Sequence, residues 1–269
     1  MTRGLPTVHV SESDGAVGRS DSDRWRYVLR LGDDALIYAQ RLAEWIASAP
    51  QLEEDVALGN VALDQLGVAR SLLTYAGAVE GAGRDEDALA YFRDERDFLN
   101  AQLFELARGD FASTIARMLV VSAYQWELYS RLQASTDETL AAVAAKAVKE
   151  VEYHRDHATQ WALRLGDGTD ESHKRMQAGL DSLWPYVPEL FETDELVAAL
   201  ATDGIAVDPA VLAGPALAYV DAVLTEATLT PPQTEVRHAG GRRGIHTEQM
   251  GFLLAEMQHL ARSHPGARW

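Results

Sequence analysis

The sequence contains no cysteine among its 269 residues. This absence excludes disulfide bonds, thiolate nucleophiles and iron–sulfur clusters held by this chain. Basic residues are also scarce, since 24 lysines and arginines face 41 acidic residues and leave a formal net charge of −17. Such an acidic surface argues against general binding of nucleic acids or anionic membranes, because both require clustered positive charge. No segment reaches 18 consecutive apolar residues, so no membrane-spanning helix is predicted.

The N-terminal region lacks the apolar core of a signal peptide and is rich in Ser, Gly and Asp. We therefore expect residues 1–23 to form a disordered arm, residues 24–269 to form a single helical domain, and the protein to be cytoplasmic. The negative charge is uneven along the chain. Residues 1–230 carry a formal charge of −19, whereas residues 231–269, with five bases and three acids, carry +2.

Helical periodicity dominates the rest of the sequence, and no strand pattern is visible. Apolar residues recur at intervals of three and four in four long segments, at about 24–49, 52–79, 110–132 and 135–166. Long helices with short connections predict an antiparallel four-helix bundle, with the shorter C-terminal helices packed at one end. The predicted fold class is therefore all-α.

The second long segment carries apolar residues on two sides. One seam includes Leu58, Val61, Val68 and Leu72, and the other includes Leu52, Val56, Gly59, Leu63, Leu66 and Leu73. A helix that is apolar on two sides is expected to be central in its bundle, because both sides need to be covered.

A long four-helix bundle raises the question of a metal centre. Ferritin-like diiron proteins use one Glu from each of two helices and a Glu-x-x-His pair from each of the other two. Neither pair is intact here, because the second helix offers Gln65 and Val68 and the fourth offers Val151 and His154. Glu44 is the carboxylate available on the first helix. The sequence therefore predicts no metal and no catalytic residue at these positions.

The remaining polar groups at these positions need partners if they are buried. We expect Glu44, Asp64, Gln65 and His154 to form a metal-free buried polar network, because unpaired polar groups in a bundle core are costly. The alternative is a mononuclear metal site made by Glu44, Glu150 and His154, which would make the chain an oxidase or oxygenase in its own right.

A second candidate site is the glycine-rich basic segment at residues 237–246. Glycines interleaved with arginines can surround a phosphate group or the carboxylates of a partner. The candidate contacts for an anion or a partner are Arg237, Arg242, Arg243 and His246. This segment leaves open a third interpretation, in which the chain is an acyl-CoA-binding module. The plainer interpretation is a flexible loop whose arginines balance nearby acids.

Seven strings of residues occur together and in one order, and they carry a family resemblance. They are LGDD (31–34) with QRLAEW (40–45), NVALDQLG (60–67), RDERDF (93–98), KEVEYH (149–154), LGDGTD (165–170), GIAVDP (204–209) and GGRRGIHTE (240–248). From about residue 30 to Trp269, the chain resembles the C-subunit family of the bacterial ring-1,2-phenylacetyl-CoA epoxidases.

The resemblance implies a ferritin-like helical fold and a place in a multicomponent monooxygenase of aerobic phenylacetate degradation. In that complex the A subunit holds the diiron centre and binds phenylacetyl-CoA. A reductase subunit with FAD and a 2Fe-2S cluster supplies electrons from NADPH. The C subunit resembles a degenerate copy of the A subunit that supports it structurally. The implied partners are the A subunit and the other subunits, including the reductase, with no cofactor in this chain.

Overall fold

A computed structural model describes residues 12–267, and every regular element in that range is a helix. The all-α prediction is thereby confirmed. The α-helices are α1 (Glu12–Ala43), α2 (Leu52–Glu80), α3 (Glu86–Tyr91), α4 (Gln102–Glu105), α5 (Phe111–Leu132), α6 (Glu138–Gly166), α7 (Asp170–Leu183), α8 (Glu195–Thr202), α9 (Ala210–Glu226) and α10 (Glu248–Ser263). Three 3₁₀ helices cover Glu95–Asp97, Trp184–Phe191 and Gly241–Arg243. Among residues 12–267, no helix is both long and apolar enough to cross a bilayer.

The first helix is longer than the sequence predicts. It begins at Glu12 rather than near Arg24, so residues 12–23, which we expected in a disordered arm, are helical. The rest of the predicted arm, residues 1–11, lies outside the described residues. The assignment of residues 24–269 to a single domain stays a prediction, and its last two residues also lie outside the described range.

The four long helices form the predicted bundle from two antiparallel pairs. Helix α1 packs along α2, α5 packs along α6, and α2 also contacts α6. Of the additional helices, α7 and α9 pack on α5, and α10 packs on α3 and α4. Capping side chains fix the first residues of α5 and α6, the second of these pairs. The carboxylate of Asp110 accepts the Ser113 N–H (2.8 Å) at the start of α5, and the carboxylate of Asp137 accepts the Leu140 N–H (3.0 Å) at the start of α6.

The central helix of the bundle is α1, and the prediction that α2 is central was wrong. Every position from Tyr27 to Ala39 of α1 is buried. Helix α2 buries the side that carries Leu58, but Leu52 and Leu63 on its other side remain 74% and 65% exposed. The apolar pattern identifies which sides of a helix avoid water but not which element covers them. Here α4, α8 and the loops that precede α4 and α10 cover α1 instead.

Candidate functional site

The centre of the bundle is occupied by aliphatic side chains and one neutral amide pair. Val68 on α2 and Val151 on α6, at two of the degenerate diiron positions, are both buried. Gln65 on α2 faces Gln125 on α5, and each amide donates to the carbonyl oxygen of the other at 3.0 Å. Both side-chain amides are therefore satisfied without a charge. Gln125 is a member of this site that our network prediction omitted.

His154 forms a separate pair at the edge of the bundle. Its Nε2 lies 3.0 Å from Oδ2 of Asp64, which joins α6 to α2. Burial lowers the pKa of His154 below its ordinary value, although the hydrogen bond and the charge of Asp64 oppose this shift. The imidazole is therefore neutral near pH 7, with Asp64 as a partly solvated acceptor. The predicted single network is thus divided into two pairs, Asp64–His154 and Gln65–Gln125.

Glu44 does not join these buried groups, which corrects its predicted place. Helix α1 ends at Ala43, so Glu44 lies in the following turn, where its side chain is 32% exposed and paired with Arg41 at 2.6 Å. Glu150, the third member of the alternative mononuclear site, pairs with Lys146 at 3.2 Å. Within residues 12–267, no three His, Asp or Glu side chains come together in a way that could hold a metal ion.

A diiron centre of the ferritin-like type does not fit the side chains at the centre of this bundle. Such a centre requires four carboxylates and two imidazoles on facing helices. The corresponding region here presents two valines, an amide pair and one histidine that is already bonded to a carboxylate. We therefore assign no metal-dependent step to it.

The buried charges of this protein lie elsewhere, beginning with two adjacent acids on α1. Asp33 is fully buried, pairs with Arg93 (Nη1 to Oδ2, 3.0 Å) and accepts the Leu99 N–H at 2.8 Å. Asp34 receives two parallel hydrogen bonds from Arg242, at 2.9 and 2.8 Å. Arginine and carboxylate match geometrically in such a two-point contact, which fixes the position of both groups.

A third buried pair connects α4 to the segment before α10. Nδ1 of His246 lies 2.6 Å from Glu105 Oε2, and Nε2 of the same ring lies 2.9 Å from the carbonyl oxygen of Phe98. Because both ring nitrogens face acceptors, both must carry hydrogen, so the ring is an imidazolium cation. Burial alone would lower the pKa of His246, but the bond and charge of Glu105 outweigh it and raise the pKa.

These three pairs form one structure, which we call the anchor network: Asp33, Asp34, Arg93, Glu105, Arg242 and His246. Two glycines allow the C-terminal loop to reach it. A Cβ atom at Gly241 would lie 2.0 Å from the carbonyl oxygen of Asn100, and one at Gly244, where φ is +71°, would lie 2.2 Å from that of Arg96. The string GGRRGIHTE thus fixes the loop against α1 and α4.

The predicted anion or partner contact stays a prediction, and the anchor network accounts for two of its four residues. Arg242 and His246 are held by Asp34 and Glu105, and the His246 side chain is fully buried, whereas that of Arg242 is 17% exposed and lines the groove beside Arg243. Of the four predicted residues, Arg237 and Arg243 are exposed. The groove beside Arg243 also carries acidic side chains, namely Asp23, Asp194, Glu195 and Asp203. This mixed surface offers no concentrated positive charge for the phosphates of an acyl-CoA.

The strings that carry the family resemblance meet in space. Residues 31–34, 93–98 and 240–248 come together in the anchor network, and residues 60–67 and 149–154 meet through the Asp64–His154 pair. Sequence reasoning missed the anchor network as a unit, because its members are far apart along the chain. The one available signal was the adjacent Asp33 and Asp34 in the apolar stretch of α1 from Tyr27 to Ala39, where Arg30 is the only other charged residue; buried acids of this kind require cations.

Comparison with known proteins agrees with the predicted resemblance. The family model described as "Phenylacetic acid catabolic protein" matches residues 5–269. The chain is 49% identical, over 243 residues, to the C subunit of the 1,2-phenylacetyl-CoA epoxidase of Escherichia coli (strain K12). The aligned region covers 90% of this chain and 98% of that relative. The chain therefore belongs to the phenylacetic acid catabolic protein family.

Proposed function

We propose that this chain is a non-catalytic structural subunit of a phenylacetyl-CoA epoxidase complex in aerobic phenylacetate degradation. In this proposal it pairs with a catalytic A subunit that holds the diiron centre. Oxygen chemistry takes place in the A subunit, and a reductase subunit with FAD and a 2Fe-2S cluster delivers electrons from NADPH. The whole assembly resides in the cytoplasm. The 49% identity to an epoxidase C subunit, over nearly the full length of both chains, supports this assignment.

The observation that carries the proposal is the loss of ligands from a bundle that keeps its shape. Val68 stands at the His position of the pair on α2 and Val151 at the Glu position of the pair on α6; both are buried and need no counter-charge. The Gln65–Gln125 pair satisfies its own polar atoms. A bundle repacked in this way stays folded without metal, so it can serve as a rigid support.

Co-purification with the candidate A subunit tests the proposal. The two chains are produced separately and together, and iron and phenylacetyl-CoA epoxidation, with the reductase and NADPH supplied, are measured for each preparation. We expect the chains to purify as one complex, the iron to remain with the A subunit when the chains are separated, and this chain alone to be inactive. Stoichiometric iron or turnover in this chain alone would contradict the proposal.

A double substitution gives a sharper version of the same test. Gln65→Leu combined with Gln125→Leu removes the amide pair from the bundle centre and leaves no unsatisfied partner. We expect the double variant to bind the A subunit and to support epoxidation at the wild-type rate. A large loss of activity in a complex that still assembles and retains its iron would mean that the bundle centre takes part in the reaction.

A further inference from the structure

One side of α2 exposes an apolar stripe that no other described element covers. We call it the α2 stripe, and its residues are Leu52, Val56, Gly59 and Leu63. Spacings of four, three and four residues place them on one face, over about 17 Å at 1.5 Å per residue. The side chains of Leu52, Val56 and Leu63 are 74%, 56% and 65% exposed. Exposed apolar side chains that are contiguous on a rigid helix mark an interaction surface more often than scattered ones do.

The middle of the stripe has the shape that helix packing requires. A Cβ atom at Gly59 would meet no other atom within 4 Å, so the position is an open notch between Val56 and Leu63. A ridge of side chains on a second helix fits such a notch, because a small residue lets the two backbones approach closely. The occupant that fits this surface is an α-helix with an apolar side.

Tyr153 is a second exposed side chain, on the neighbouring helix α6. Its side chain is 52% exposed, and its ring lies 6.3 Å from the His154 ring and 6.1 Å from the His157 ring. Those two histidines are bonded to Asp64 and Glu54 of α2, so Tyr153 is on the side of α6 that adjoins α2. Half-exposed tyrosines are typical of protein–protein interfaces.

The flanks of the stripe are acidic, which selects the charge of the occupant. Glu53 is exposed, and Asp64 is partly exposed beside His154. Asp55 has a buried Oδ1 with no hydrogen-bond partner among the described residues. Asp55 as a whole is partly exposed, and a Lys or Arg from another chain would pair with the charge of these flanking acids. In a second copy of this chain, acidic flanks would meet acidic flanks, which disfavours self-association through this face.

We propose that the α2 stripe is the surface on which the catalytic A subunit docks, through an apolar helix flanked by basic side chains. This inference rests on the proposed function, since it takes the A subunit as the partner. It also gives the second apolar seam of α2 a purpose. In the complex, the exposed side of α2 would be covered as well, and α2 would then be the central helix that its two apolar sides predict.

The test measures the dissociation constant between the full chain and the A subunit by titration. Leu63→Asp places a charge at the C-terminal end of the stripe, next to the Gly59 notch, and we expect it to raise the dissociation constant about 30-fold or more, as buried interface anchors do. The matched control is Phe252→Asp on α10, a site of nearly equal exposure (67% against 65%) that lies away from α2. We expect this control to change the dissociation constant less than about twofold. Thermal unfolding of both variants checks that the fold is kept.

The outcomes separate this inference from the proposed function. If the wild-type chain does not bind the A subunit, the proposed function fails, and the docking surface fails with it. If the wild type binds and Leu63→Asp binds equally well, the docking surface is overturned while the proposed function stands. A Leu63→Asp variant that changes only self-association of this chain would also overturn it, in favour of a second copy as the occupant.

A milder variant tests the charge of the partner. Asp55→Asn keeps the size of the side chain and removes its charge. We expect binding of the A subunit to weaken several-fold at low salt, with the difference from wild type shrinking as salt rises. Tighter binding by Asp55→Asn at low salt would overturn the assignment of a basic flank to the partner.

Discussion

The bundle centre and the anchor network are both buried and polar, yet they use opposite kinds of chemistry. The bundle centre is neutral and consists of Gln65, Val68, Gln125 and Val151, with the neutral His154 ring at its edge. The anchor network consists of three pairs of opposite charges, and its members come from α1, α4 and two loops. In this protein, the three ion pairs of the anchor network lie where loops attach to helices, whereas the contact of Gln65 and Val68 with Gln125 and Val151 between long helices is uncharged.

This difference shows what each region contributes. Helix-to-helix packing needs no charge at the bundle centre, because apolar side chains and one neutral amide pair fill the space between α2, α5 and α6. Loops have no such seam, and paired charges with fixed geometry hold them in one position. A buried pair adds little net stability compared with an apolar replacement, but breaking it leaves an uncompensated charge. The anchor network should therefore be far more sensitive to single substitutions than the bundle centre.

The largest loss of unfolding free energy is expected from Arg93→Met. This change leaves Asp33, which is fully buried, without its cation. We expect the free energy of unfolding in urea to fall by about 3–5 kcal/mol. The control is Arg70→Met, which breaks the exposed Arg70–Glu86 pair and should cost less than about 1 kcal/mol. Equal losses of unfolding free energy in the two variants would contradict the greater sensitivity that we assign to the anchor network.

A smaller effect is expected at the bundle centre. Gln65→Leu leaves the buried amide of Gln125 without a partner and should lower the free energy of unfolding by about 1–3 kcal/mol. Adding Gln125→Leu should recover most of that loss, because neither polar group then remains. The double-mutant cycle, measured by urea unfolding, gives the coupling directly. A double variant that is less stable than Gln65→Leu would show that the centre needs its polar pair.

The smallest change in the free energy of unfolding is expected from pH. Its direction distinguishes the two regions. The pKa of His246 is raised in the folded protein, so its contribution to stability is complete below about pH 6.5 and is lost as the pH rises through the folded pKa. The pKa of His154 is lowered, so its contribution is present above about pH 6.5 and is lost as the pH falls through the folded pKa.

The variants His246→Gln and His154→Gln measure these two contributions. We expect the stability advantage of wild type over His246→Gln to shrink as the pH rises, and its advantage over His154→Gln to shrink as the pH falls. Unfolding free energies recorded from about pH 5 to about pH 9 cover both changes, because histidine titrates in this range. Two advantages that change in the same direction would contradict the assignment of a cationic His246 and a neutral His154.

Local patterns in the sequence predicted the fold and much of the bundle centre. Periods of three and four residues determine which side chains share a helix face, so Gln65, Val68 and Val151 were placed on buried faces correctly. Glu44 was misplaced because its location depends on where α1 ends, and periodicity does not define a helix end. Gln125 became recognisable as the partner of Gln65 only once the register of α5 against α2 was known.

The anchor network could not be predicted from local patterns. Its arginines lie in loops, which have no periodicity, so Arg242 was interpreted as a surface contact although it is held by Asp34. The prediction that α2 is the central helix failed for a different reason. Its two apolar seams were identified correctly, but the sequence of one chain does not say whether a seam is covered by that chain or by another.

The separation between Asp34 and Arg242, 208 residues along the chain, has a consequence for how the protein is made. A ribosome produces α1 long before the arginine that balances its acid. Until residue 242 emerges, burying α1 would trap a carboxylate without its cation, and the helix gains little from leaving water. The final burial of α1 therefore waits for residue 242, so a translation product interrupted before that residue keeps its central helix accessible to chaperones and proteases.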